Sequence, residues 1–149
     1  METRTSEPKV EALLLRFLLG ALFIAHLYWK IAVLPGGIET WWNNLQGAGY
    51  PPIVPGYVLS AEIAGALLLI PGVLTRYVAL YAMPMMAGAA QFWAVRKGFY
   101  FTAAGSELPL VWFTLLGIQA VAGDGPGALA PSPNWRAVAG RLRIKARVA

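Results

Sequence analysis

Four long apolar runs, separated by short segments rich in Gly, Pro and charge, organise the chain. The first covers about residues 12–34 and is broken only by Arg16, His26 and Lys30. The second covers residues 55–71 and holds one charged residue, Glu62; the third covers 75–95 and the fourth 105–122. Each is close to the roughly 20 residues that a helix needs to cross a hydrocarbon core of about 30 Å. The pattern predicts an all-α fold, an integral membrane four-helix bundle. The connections between runs are too short to be interdomain linkers, so one four-helix domain over 12–130 is expected. It is flanked by an N-terminal segment (1–11) and a basic tail (131–149).

Composition agrees with this choice of solvent: 58% of residues are hydrophobic, 13% are charged, and the mean hydropathy is +0.57. A secretory signal is the other reading of the first run, but no small-x-small cleavage site follows it. The sequence continues instead with Pro35, Gly36, Gly37 and Ile38, then Trp41 and Trp42. The first run is therefore read as a spanning helix.

Basic residues set the orientation. Arg4, Lys9 and Arg16 lie at the amino end, Arg76 in the turn between the second and third runs, and Arg136, Arg141, Arg143, Lys145 and Arg147 in the tail. With four spans these three regions share one side, so both termini are expected in the cytoplasm by the positive-inside rule. The localisation implied is the cell membrane, a bacterial inner membrane, with several passes. The tail is then a topology signal and an anchor to anionic headgroups. Nucleic-acid binding is discounted as the source of a pI near 9.8, because the tail carries no aromatic residue beyond Trp135. The spacing of Arg residues with Val138, Leu142 and Ile144 also permits a surface helix over 137–148.

The opposite side holds two aromatic loops, one over 35–54 with Trp41, Trp42 and Tyr50, and one over 96–104 with Phe99, Tyr100 and Phe101. They suit an interfacial belt. Residues 38–45 are expected to form a short amphipathic helix that lies over the bundle as a lid and ends at Gly47, Gly49, Pro51 and Pro52.

Ionisable groups in such runs are expensive and are usually paired or functional. His26 and Lys30 are four apart and share a helix face. Glu62 lies about two turns into the second helix from the same side, Gln91, Arg96 and Lys97 end the third, and Glu107 opens the fourth. These groups are thus expected near the non-cytoplasmic end. Lys30 is expected to pair with Glu62, and Arg96 or Lys97 with Glu107. Two outcomes are open: the pairs lock the helices together, or they line a ligand pocket.

Ala61 and Gly65 form a small-xxx-small pair for close helix contact, and Gly88 smooths the third helix in the same way. Pro84 is expected to kink that helix unless a neighbour satisfies the carbonyl it frees. Ser106, Glu107 and Pro109 resemble a first turn with Ser as cap and a carboxylate at the positive dipole end.

Several chemistries are excluded or weakened. The chain has no Cys, hence no disulfide, thiolate metal site or Cys redox pair. One His, His26, cannot supply bis-histidine haem ligation. No phosphate-binding glycine loop, nucleophile elbow or metal motif is present, so no metal and no intrinsic cofactor are expected.

The order Leu15-Arg16, Lys30, Glu62 with Gly65, then Leu74-Thr75-Arg76 is similar to the DoxX family of small four-helix membrane proteins. Gly98-Phe99, Gly105, Glu107 and Gly125-Pro126-Gly127 continue the resemblance, which covers residues 13–132. Two departures stand out. Members often carry a His late in the third span, where this chain has Gln91 and Trp93. Many also end in Ser-Leu-Asp after the Gly-Pro-Gly, where this chain reads Ala128-Leu129-Ala130-Pro131.

Named members of that family are similar to subunits of thiosulfate:quinone oxidoreductase. The resemblance implies Arg16, Lys30, Glu62, Arg76 and Glu107 as the polar positions to follow, Arg16 and Arg76 among them as structural. Two function classes compete, and whether the chain is an enzyme stays open between them. In the first, it is a non-catalytic subunit that docks on, stabilises or assembles a larger membrane redox complex, through lipid-facing aromatics such as Trp112 and Phe113. In the second, it is a quinone-binding subunit of an oxidoreductase. Tyr57, Trp93 and Phe99 would then contact the ring, Lys30 and His26 would donate to a quinone oxygen, Glu62 would exchange the proton, and Arg96 and Glu107 would border the site.

Overall fold

Each apolar run folds as an α-helix, and a fifth, amphipathic helix follows the first. In the computed structural model, which describes residues 9–133 and 135, α1 is Val10–Tyr28 and α2 is Gly37–Gly47. The others are α3 at Ile53–Leu68, α4 at Thr75–Lys97 and α5 at Glu107–Ala122. The structure is all-α, with no strand among the described residues. The expected tail helix over 137–148 lies outside them.

Two ends differ from expectation for identifiable reasons. The last turn of α1 widens into a π-turn over Trp29–Val33, closed by the Leu34 N–H donating to the Trp29 carbonyl at 2.8 Å. Such turns insert a change of phase into an α-helix. Together α1 and this turn form an apolar helix long enough to cross a membrane, as does α4. By contrast α3 and α5 have 16 residues each, about 24 Å at 1.5 Å per residue. α3 begins ahead of its run and stops at Leu68, where the turn Leu69–Val73 intervenes, while α5 begins at Glu107, after Gly105 and Ser106, and ends with its run at Ala122.

The helices pack in a ring: α1 touches α3 and α5, and α4 touches α3 and α5, while α2 rests on the π-turn. At the centre lie Leu19, Phe23, Ala61, Val78, Ala82, Met85, Trp112 and Leu116. Gly65 belongs to this contact. A Cβ there would strike the Phe23 ring, so only a glycine lets α3 come this close to α1.

Pro84 sits inside an unbroken α4. Its ring denies Leu80 a hydrogen bond and crowds the preceding turn. The neighbouring Tyr81 carbonyl takes a bond from across the interface instead, from the Tyr57 hydroxyl of α3 at 2.5 Å. Pro84 is thus accommodated by packing.

The polarity of this bundle is inverted with respect to a water-soluble one. Leu14, Leu18, Ile24, Ile63, Leu67, Leu80, Val111, Ile118 and Val121 point outward, whereas Arg16, Lys30, Glu62, Thr75, Arg76, Gln119 and Asp124 are buried. Water would penalise both halves of that distribution.

Gly65→Leu should therefore lower the stability of the detergent-solubilised protein by about 1–3 kcal/mol. Gly88, around which a Cβ meets nothing, should accept Ala with no loss and a gain of up to about 1 kcal/mol. Thermal unfolding followed by circular dichroism measures both.

Candidate functional site

A buried ion pair joins the π-turn at the end of α1 to α3. Lys30, carried by the π-turn, and Glu62, on the inner face of α3, are 4% and 3% exposed. The Lys30 ammonium donates to both carboxylate oxygens at 2.5 Å. From above, the Trp41 ring of α2 covers the ammonium at 4.7 Å, a cation–π contact that strengthens as water is removed. The expected lid is therefore present and supplies a partner that the spacing of charges did not indicate. Trp42 closes over α3 beside it, with its ring 3.6 Å from where a Cβ on Gly56 would stand.

His26 does not share this burial. Its exposed ring stacks on Trp112 at 4.8 Å, because the helix widens from Trp29 onward and the four-residue spacing no longer superposes the two side chains. Trp112 in turn packs edge-on against Phe23 and is 8% exposed. It is a core residue, and the expectation that it faces lipid is corrected; α5 turns it inward to fill the space above Phe23. Phe113, half-buried, packs against the same core.

The remaining groups expected at this end are committed elsewhere. Arg96 lies over the Phe92 ring of its own helix at 3.8 Å and donates to the Phe92 carbonyl. The Glu107 carboxylate accepts the Phe101 N–H at 3.0 Å. Neither Arg96 nor Lys97 pairs with Glu107: the Lys30–Glu62 bridge is the one salt bridge among the described residues. The physical reason is local, since the turn of Phe101–Ala103 folds its own backbone onto the carboxylate and satisfies it. Ser106 occupies the cap position of α5, but its hydroxyl makes no capping bond. That end is fixed through the backbone, with Ser106 N–H on the Gly98 carbonyl and Glu107 N–H on that of Phe99.

Tyr57 turns to α4, where it bonds Tyr81 and, through Ser60, forms a small hydroxyl group at the α3–α4 surface. Trp93 packs edge-on against Phe92, Gln91 is exposed, and Phe99 is exposed in the loop beside Tyr100. Tyr57, Trp93 and Phe99 thus each have a packing partner of their own, and the Lys30 ammonium is occupied by Glu62.

A second polar cluster, at the opposite end of the bundle, was only partly visible in the sequence. Asp124, just past α5, accepts from the Thr75 N–H at 3.0 Å and hydroxyl at 2.8 Å, and from the Ser132 N–H at 2.9 Å and hydroxyl at 3.0 Å. Arg76 donates to the Ala120 and Val121 carbonyls, both at 2.8 Å, answering orphan acceptors at the negative end of α5. Gln119 donates to the Gly123 carbonyl, and Trp135 to that of Ala120. Arg16 donates to the Pro126 carbonyl at 2.9 Å. Leu129 and Ala130 bond the Pro71–Gly72 turn, and the Leu74 N–H returns to Ala130. These contacts clasp residues 123–132 across the ends of α3 and α4. In the sequence, Asp124 reads as one turn residue beside Gly123 and Gly125, and nothing in its spacing points to Thr75.

The DoxX family matches residues 12–96. The chain belongs to the DoxX family. Arg16, Lys30, Glu62 and Arg76 lie inside the matched stretch of this DoxX protein, and Glu107 and the Gly125-Pro126-Gly127 turn lie beyond it. No curated protein and no solved structure matches the chain. The DoxX family is membrane-associated, in keeping with the outward apolar faces and the two long apolar helices.

Glu62→Gln should destabilise the protein by about 3–5 kcal/mol by stranding the Lys30 ammonium, whereas the Lys30→Met, Glu62→Met double variant should recover most of that loss. Detergent unfolding of the three proteins measures it; a double variant as unstable as the single one overturns the pairing account. Asp124 gives a pH test. Burial pushes its carboxyl up, but the Thr75 and Ser132 hydrogen bonds outweigh this and hold its pKa below the ordinary 3.8. A carboxyl depressed in the folded state contributes stability that is complete above its unfolded pKa and is lost as pH falls through the folded one. Stability should thus fall as pH drops below about 4 in the native protein, and this component should be missing from Asp124→Asn.

Proposed function

We propose that this DoxX protein is a four-span subunit of the cell membrane, with both termini in the cytoplasm. It docks on a larger membrane complex, a redox one by family resemblance, and stabilises or assembles it without carrying out the chemistry. The observation that carries the reading is the closed Lys30–Glu62 pair under Trp41. An acid–base or ligand-holding couple needs a free face for the reacting molecule; here each partner satisfies the other and the lid satisfies the ammonium. A pair of this kind fixes the angle between α1 and α3, as a scaffold requires.

The four-span arrangement draws on the inverted polarity of all four bundle helices. Although α3 and α5 are short, the apolar turn residues Leu69 and Ile70 extend the former toward the required length. The exposed Phe99, Tyr100 and Phe101 then lie at the non-cytoplasmic interface and present an aromatic rim to lipid or to a partner.

The absence of native Cys makes topology directly measurable. A Cys at Tyr100 should react with an impermeant maleimide added outside spheroplasts, and one at Ala149 only after the membrane is opened; the reverse pattern overturns the orientation. For the role, affinity purification in mild detergent should yield a larger membrane protein in stoichiometric amount and no extractable quinone. Deleting the chain should lower the steady-state level of that partner. Quinone bound to the isolated chain, or Glu62→Gln slowing electron transfer per assembled complex, would favour the ligand-binding reading instead.

A further inference from the structure

Of the five helices, α2 is the least tied to the bundle. None of its residues is buried. Among the described residues, no hydrogen bond and no ion pair joins it to α1, α3, α4 or α5, and its backbone bonds stay between Leu34 and Tyr50. It rests on the π-turn through side-chain packing alone. Trp41, Trp42 and Leu45 are half-buried, whereas Glu39, Asn43, Asn44 and Gln46 are exposed, the division expected of a helix that lies on a surface.

Both ends of α2 can turn without moving the bundle. Gly36, at φ +79°, precedes it and Gly49, at φ +93°, follows it, a backbone region that glycine enters freely. A Cβ on Gly47 or Gly49 would meet nothing, so no neighbour restrains that end. Just outside these glycines the chain is pinned: the Leu34 N–H bonds the Trp29 carbonyl, and the Tyr50 ring packs on Phe92 at 5.9 Å. An element held only by packing, between two glycine joints that are themselves anchored, has the build of a hinged lid.

We infer that α2 is a hinged lid whose position sets how firmly the Lys30–Glu62 pair locks α1 to α3. With the lid down, Trp41 takes the place of water on the ammonium, and the pair acts at short range in an apolar surrounding. With the lid up, water reaches both groups, and their attraction drops toward that of an exposed pair. The angle between α1 and α3 is then free to adjust. The inference rests on the reading of the pair as a helix lock, which the Glu62→Gln and double Met variants test separately.

The test labels the full chain in mild detergent with a sulfonated N-hydroxysuccinimide ester, read by peptide mass spectrometry, with the exposed Lys97 as internal reference. The Lys30 amine is out of reach under the closed lid, so its labelling reports opening. In the native protein Lys30 should label more slowly than Lys97, at a rate that low urea leaves unchanged while the amides of α1 and α3 stay protected, as in a local opening. Trp41→Ala should speed Lys30 labelling about tenfold, the weight of a desolvated cation–π contact, whereas Trp41→Phe should stay near the native rate and Lys97 should be unchanged in both. The destabilisation caused by Glu62→Gln should shrink by about twofold or more in the Trp41→Ala background. If Trp41→Ala fails to fold by circular dichroism, the urea series on the native protein decides. The inference is overturned by a Lys30 that stays unlabelled, by Lys30 labelling that rises with urea together with amide exchange in α1 and α3, by a Trp41→Ala rate equal to the native one, or by a Glu62→Gln loss undiminished in that background. If the Glu62→Gln and double Met variants behave as expected and Lys30 labelling does not, only the lid falls.

Discussion

An ammonium and a carboxylate withdrawn from water must find each other, because nothing else in an apolar surrounding replaces their hydration. Lys30 and Glu62 do so at 2.5 Å between α1 and α3, and the rest of the bundle is arranged so that they can. The π-turn carries Lys30 inward, the small residues Ala61 and Gly65 let α3 approach closely enough, and α2 returns across the end to put Trp41 on the ammonium. The attraction between such groups is many times its value in water, but so is the penalty for leaving either alone. The pair therefore specifies the helix arrangement more than it adds to stability.

The same constraint governs the opposite end with different means. There the carriers of charge are two arginines, one aspartate and the ends of three helices. Arg76 is answered by the last carbonyls of α5 and Asp124 by hydroxyls and amides of Thr75 and Ser132. This clasp holds residues 123–132 across the turn between α3 and α4, so the two helix hairpins are tied at one end by hydrogen bonds and at the other by an ion pair. Leu74 accepts a left-handed conformation, at φ 48°, to start α4 under that segment. The strain is held in place by its N–H bond to Ala130.

A bundle built in this way keeps its polar groups inward and presents apolar side chains to its surroundings. That distribution suits a lipid surrounding. His26 stacks on Trp112 with an exposed ring, and Arg16, though buried, keeps two nitrogens without a hydrogen-bond partner among the described residues.

The sequence by itself determined the four apolar helices, the amphipathic helix between the first two, and the partnership of Lys30 with Glu62. These follow from hydrophobic run length, helical phase and the cost of an unpaired buried charge, each a property of a short stretch or of one pair. It did not determine which other charges would meet. Arg96 and Glu107 lie at adjacent helix ends, but a nearby aromatic ring and a loop amide were closer and satisfied them first. The Asp124–Thr75 contact spans 49 positions, and the inward turn of Trp112 depends on the space left above Phe23. Both were decided by the tertiary structure, because a hydrogen bond or a filled void depends on three-dimensional distance, which one-dimensional spacing specifies only within a single helix.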